Sequence, residues 1–196
     1  SGGIVMIIFN ILILGLEGNV GVAAYGVIAN ISIVVTALYT GLAQGIQPLI
    51  STYYGVNDKN QIRRIMKYGQ FTMILLSVAM YAVLFVFAPQ VTGIFNSEGN
   101  EVLQKIAEVG LKLYFTSNIF VGFNTVVATF FTSIEKAMPA HILSLLRGLV
   151  LIIPLAFVMS AIWGMNGIWI CFPVTEAVTA ILGFFIYLKI IKTFSA

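Results

Sequence analysis

The sequence predicts an all-α, polytopic membrane bundle of six transmembrane helices, the first of them truncated, and three observations predict it. Apolar residues make up 60% of the 196-residue chain and charged residues only 9%, against about 25% charged in an average soluble domain. Mean hydropathy is +1.03, which is more apolar surface than a domain of this length can hide behind so few polar groups. Apolar runs of about 20 residues, the length of helix that crosses about 30 Å of hydrocarbon, recur between short polar breaks. Lipid must therefore face much of the surface.

Taken in order, the first span, 4–16, is shorter than a full crossing, and Glu17-Gly18-Asn19 closes it with turn chemistry. The chain opens Ser1-Gly2-Gly3 and runs straight into apolar sequence, without the charged leader of a signal peptide. The expectation is that it begins inside a longer polypeptide. The second span, 22–53, is longer than a perpendicular helix needs and carries Gly41, Gly45 and Pro48 in its last third, which predicts a tilt or a bend there. The third, 66–87, ends at Ala88-Pro89. Residues 97–110 place Val102, Leu103, Ile106 and Val109 opposite Glu101, Lys105 and Glu108, a short amphipathic helix on the outer surface that leads into the next span. The remaining spans are 113–133, 142–162 and 167–191.

The loops alternate as six real crossings require, since cytoplasmic loops carry an excess of Lys and Arg. Lys59, Arg63, Arg64 and Lys67 follow the second span, Lys136 and Arg147 lie around the break after the fourth, and Lys189 and Lys192 end the sixth, which assigns eight of the ten basic residues to one side. That side is the cytoplasm of a cell whose plasma membrane holds the protein, and both chain ends fall on it. Tyr53, Tyr54, Tyr68, Trp163 and Trp169 fall near span ends, as in an interfacial aromatic belt.

Several function classes are excluded. The net charge of +3 is spread over short loops, so no basic stripe exists to grip nucleic acid. Cys171 is the one cysteine and His141 the one histidine, too few for a disulfide or a metal cage. No phosphate-binding Gly-Lys-Ser/Thr loop and no Gly-x-Ser-x-Gly elbow occurs. Neither an enzyme nor a bound cofactor is expected. His141, at the inner end of the fifth span, fits an interfacial anchor better than a proton relay.

The informative residues are polar groups inside apolar helices, because an unpaired polar group in hydrocarbon is costly and turns toward a bundle interior or a wet cavity. Glu176 follows Cys171-Phe172-Pro173, where a proline without an N–H opens the local helix. Two roles fit it equally: holding a cation or a proton, or bonding to a neighbouring helix. Gln44 and Gln47, three residues apart, share a face and can hydrogen-bond a substrate or a partner helix. Asn118 and Thr125 share another face, with Asn124 about 100° round and Thr129 nearby. Arg147 is expected to snorkel to phosphate headgroups or to pair with a carboxylate such as Glu135, snorkelling being the simpler assumption.

Gly41-Leu42-Ala43-Gln44-Gly45-Ile46-Gln47-Pro48, continuing to Gly55 and the basic Arg63-Arg64, resembles a hallmark of the multidrug and toxic compound extrusion (MATE) family. Ala23-Ala24-Tyr25-Gly26-Val27 before it, and Gly164-Met165-Asn166-Gly167-Ile168-Trp169 leading to Pro173 and Glu176 after it, resemble the same family in order and separation. In that family twelve helices form two six-helix lobes, and residues 1–196 are similar to the carboxy-terminal lobe, helices seven to twelve. The resemblance implies a missing amino-terminal lobe and outward antiport of amphipathic, often cationic small molecules against Na⁺ or H⁺, with a cavity between the lobes opening alternately to either side of the bilayer. Some relatives carry an acidic residue on the helix matching span 113–133, which has none here, and others use one in the amino-terminal lobe; Glu17 falls in a loop and is no substitute. The expected cavity and coupling residues are Gln44, Gln47, Asn124 and Glu176. Two rival readings are a flippase of lipid-linked oligosaccharides from the same superfamily and a non-transporting membrane scaffold.

Overall fold

The computed structural model describes residues 2–193; Ser1, which opens the start discussed above, lies outside them. All regular structure among these residues is helical: α1 Gly2–Gly55, α2 Lys59–Val86, α3 Ala88–Phe95, α4 Glu101–Tyr114, a 3₁₀ turn Phe115–Ser117, α5 Asn118–Ser133, α6 Ala137–Leu145, a π turn Leu146–Val150, α7 Ile152–Trp163 and α8 Met165–Thr193.

α1 is two helices joined at one residue. Gly18 has φ 64° and ψ −156°, a backbone conformation essentially reserved for glycine. The chain reverses there: a Cβ at Gly21 would lie 2.9 Å from Ile13 Cγ2, and the Phe9 and Tyr25 rings sit 5.5 Å apart. In a straight helix those pairs would be about 12 and 24 Å apart. The expected turn at Glu17-Gly18-Asn19 is therefore a tight fold-back with no loop. The bend expected around Gly41, Gly45 and Pro48 is not the interruption of this element: Gly18 alone leaves helical geometry, and Pro48 lies inside the helix.

Five helical segments are long and apolar enough to cross a membrane, and the fold-back at Gly18 divides the first of them into two limbs. α2 begins where Asp58 caps it, accepting from Gln61 N at 3.0 Å, and passes through a break at Phe87 into α3 with Pro89 in its first turn. Asn100 caps α4 by accepting from Val102 N and Leu103 N. α4 then runs through the 3₁₀ turn into α5, so the surface helix expected at 97–110 and the span expected from 113 are one nearly continuous rod.

Between α6 and α7 the helix widens into the π turn, closed by Leu151 N donating to Leu146 O at 2.9 Å. Pro154 follows and has no N–H for the carbonyl of Val150, the kind of site where helices deform. α7 and α8 form a hairpin about Gly164.

The core runs along the inward faces: Ile28, Tyr39, Ile46 and Ile50 of α1, Met66 and Met73 of α2, Phe130 and Phe131 of α5, Ile168 and Trp169 of α8. Trp169 is 1% exposed, packed inside the bundle with its ring 6.3 Å from that of Tyr25; the aromatic belt expected of it passes to exposed Trp163 and Tyr68. Large apolar side chains, Phe71, Leu75 and Val83 of α2 and Phe185 of α8 among them, point outward and are exposed. In a bilayer these meet lipid tails, so close packing and satisfied polar groups, more than water exclusion, hold the helices together.

Candidate functional site

Three helices meet around a polar cavity of about 550 Å³. The second limb of α1 contributes Thr40, Gln44 and Gln47, α5 contributes Thr125, Thr129 and Thr132, and the α6–π segment contributes Ser144 and Arg147. Each α5 threonine donates to the carbonyl one turn back: Thr125 to Val121 O at 2.7 Å, Thr129 to Thr125 O at 2.9 Å and Thr132 to Ala128 O at 2.9 Å. Their hydroxyl protons are thus committed to the helix, and lone pairs remain for an incoming donor. On the α1 side Pro48 has no N–H for the carbonyl of Gln44, a further acceptor beside the two exposed amides.

Behind this wall lies a buried charged cluster. Glu176 is 1% exposed and Asn124 2%. Asn124 Nδ2 donates to Glu176 Oε2 at 2.8 Å and to the Glu176 backbone carbonyl at 3.0 Å. Arg147 Nε lies 3.1 Å from Glu176 Oε1. One carboxylate therefore ties together α5, the π turn and α8. The local sequence of α8 frees it to do so: Thr175 and Thr179 satisfy themselves on carbonyls of their own helix, at 2.8 Å each, and leave Glu176 as the group that reaches a neighbour. A buried carboxylate demands such partners, because removing an ionised group from water costs several kcal/mol, by order of magnitude, unless it is paired and hydrogen-bonded.

Of the four residues singled out in the sequence, Asn124 and Glu176 bond to each other, and Gln44 and Gln47 line the cavity. The two pairs meet through Arg147, which touches Glu176 and also forms part of the cavity wall. This corrects the expectation for Arg147: its partner is Glu176, not Glu135, and it faces into the bundle instead of snorkelling. Glu135 is exposed at the end of α5. No periodicity could have paired residues 147 and 176; the nearest signal was a mid-span arginine in a chain with a mid-span acid. Thr125 and Thr129 line the cavity, whereas Asn118 is buried with an unpartnered Nδ2. Among the described residues no cluster of three or more His, Cys, Asp or Glu side chains could hold a metal.

The profile of the MatE family matches residues 4–158. Multidrug export protein MepA of Staphylococcus saprophyticus subsp. saprophyticus is 26% identical over 179 residues, covering 91% of this chain and 39% of that protein. MepA of Staphylococcus aureus strain MRSA252 is 24% identical over 170 residues, or 87% and 37%. Among solved structures, a multidrug resistance MATE family transporter of the MOP superfamily superimposes with TM-scores of 0.91 in its outward-facing and 0.92 in its inward-facing conformation. Sequence identity is 22% in both, with 98% of this chain covered and 43% and 44% of those chains. The fold is shared, and the chain spans about two fifths of the length of the relatives it matches.

Proposed function

This chain belongs to the MatE family, and from that premise we propose that it is the carboxy-terminal six-helix lobe of a secondary active exporter. The exporter takes amphipathic small molecules, organic cations among them, and moves them outward in exchange for an inward-moving Na⁺ or H⁺. The missing partner is an amino-terminal lobe of the same polypeptide, against which this lobe rocks. The membrane is the plasma membrane, and the ends carrying Lys59, Arg63, Arg64, Lys67 and Lys136 face the cytoplasm.

The observation that carries this reading is the cavity itself. A space of about 550 Å³ bordered by Gln44, Gln47, four threonines and Arg147 has no structural use in a bundle of apolar helices, and it is large enough for a drug-sized ligand. Thr132 lies next to Lys136, and Gln47 lies within two turns of Tyr53, so the cavity belongs to the half of the lobe with the basic loops. A compound entering from the cytoplasm meets it first. The flippase reading needs several cations for a pyrophosphate, and this wall offers one guanidinium already paired with a carboxylate.

The test is transport by the full-length protein in proteoliposomes, with a fluorescent amphipathic cation and an imposed pH or Na⁺ gradient. Gradient-driven dye movement is expected, and the Gln44→Ala/Gln47→Ala double variant should lower its initial rate about tenfold, the loss of one or two hydrogen bonds to the substrate. Dye flux no greater than in protein-free liposomes would sink the export reading.

A further inference from the structure

α2 and α8 both pack on α5 and leave a groove between them on the flank of the bundle. It holds about 570 Å³ and shares no residue with the polar cavity. Ile74 of α2, Ile119 and Phe123 of α5, and Ala177, Ile181 and Phe184 of α8 line it, and every lining residue is apolar. Ile74, Ile181 and Phe185 are exposed, so the groove opens sideways into the bilayer.

One end of this groove is basic. Lys67 lies seven residues before Ile74 and Lys192 seven after Phe185, so each stands on the same helix stripe as a groove residue, about 10 Å further along the axis. Both lysines are exposed. Arg63, one turn before Lys67, comes within electrostatic reach of Tyr187 of α8, which draws the two walls together at that end. Ring contacts follow the floor toward it, Phe123 with Phe184 at 6.3 Å and Phe130 with Tyr187 at 5.1 Å. The acids do not cancel this charge: Asp58 caps α2, Glu176 is paired inside the bundle, and Glu135 sits in the turn between α5 and α6. At the opposite end Lys112 lies over the Phe85 ring, about 16 Å beyond Ile74.

We infer that the groove is a binding site for an anionic glycerophospholipid from the leaflet on the side of the basic loops, one acyl chain along the groove and the phosphate on Lys67 and Lys192. A lipid tail gains little by leaving other tails for an apolar groove, so the groove seats the chain and the lysines select the headgroup. Two other occupants fit worse. An organic cation is repelled by the basic end, and a second copy related by an axis along the membrane normal would bring the same lysines together at one depth. The inference needs the bilayer and not a transported compound, so it stands apart from the export reading.

The full-length protein in liposomes of phosphatidylcholine tests it, with trace phosphatidylglycerol or phosphatidylcholine carrying the same photoreactive diazirine at mid-chain. Segments 119–123 and 177–185 should be labelled about tenfold or more by the phosphatidylglycerol probe relative to the other, since each lysine near an anionic headgroup contributes about fivefold. The Lys67→Gln/Lys192→Gln pair should lose most of that preference while keeping the wild-type unfolding temperature in detergent. Ala180→Phe, which fills the groove, should lower labelling by both probes. Equal labelling of these segments by the two probes in the wild type, which needs no variant, would overturn the inference, as would a preference that survives loss of both lysines. Displacement of the phosphatidylglycerol probe by tetraphenylphosphonium would assign the groove to the exported compound, and cross-links between two copies through α8 would assign it to a second copy; either outcome overturns the lipid site. A failure of dye transport would end the export reading and leave these results standing.

Discussion

The hairpin between α7 and α8 offers a sharp test of how the site is held. Gly167, fully buried at the start of α8, packs against the backbone of the last turns of α7. A Cβ there would overlap the Met159 carbonyl group and lie 2.9 Å from Ser160 N. Real Cβ atoms essentially never come within 3.0 Å of a neighbour, and here the neighbour is backbone, which cannot rotate aside. Overpacking costs about 1–3 kcal/mol where side chains can adjust, and the rigid case belongs at about 3. For a unit of this size each kcal/mol shifts Tm by about 2–4 °C, so Gly167→Ala should lower it by about 6–12 °C. The assay is thermal unfolding of the full-length protein in detergent. Gly93→Ala is the control, because a Cβ at Gly93 meets nothing within 4 Å and alanine is the better helix former. The wedge also reaches the site: Glu176 lies about three turns and Arg147 about five turns from Gly164 on the two arms of the hairpin, and a 1 Å displacement can cost about 100-fold in a positioned reaction. Transport by whatever Gly167→Ala protein remains folded should therefore fall further than its stability. A Tm within 2 °C of the Gly93→Ala control would refute this account of the hairpin.

Asn124→Ala removes a charge-assisted bond worth about 1.5–3 kcal/mol and a neutral one worth about 1, offset by release of the undonated Oδ1, for a net loss of about 2 kcal/mol; an unchanged Tm in detergent would show that Asn124 does not hold Glu176. Phe130→Ala, at a fully buried site, should cost about 3–5 kcal/mol, whereas Phe71→Ala, at a side chain 67% exposed, should change stability by no more than about 0.5. A reversed order would mean that the face assigned to lipid is a packed interface.

Much of the architecture was legible in the residues. Runs of apolar sequence near 20 residues, broken where the basic loops fall, imply crossings because a helix is the structure that satisfies every backbone polar group within a single segment in lipid. Gly18 was legible as a turn, although not as one residue joining two antiparallel helices. Gln44, Gln47, Asn124 and Glu176 stood out because a polar group in a greasy helix needs a reason. Trp169 was misread, because a tryptophan close to a span end serves an interface or a core equally well by composition, and only the closeness of Tyr25 and Gly110 places it inside. Pro48 suggested a bend that a tolerant helix absorbs.

By itself the sequence determined the solvent of this protein, its helical class and which side chains would be expensive to leave unpaired. All three follow from the chemistry of single residues and their immediate neighbours. Which expensive groups would meet was decided by the tertiary structure. Residues 124, 147 and 176 lie on three different helices, and their contacts depend on the rotation and tilt of each rod, on the extra width of a π turn and on a glycine that lets two backbones touch. Shifts of an ångström or two make or break a 3 Å ion pair, and no pattern along one helix encodes them.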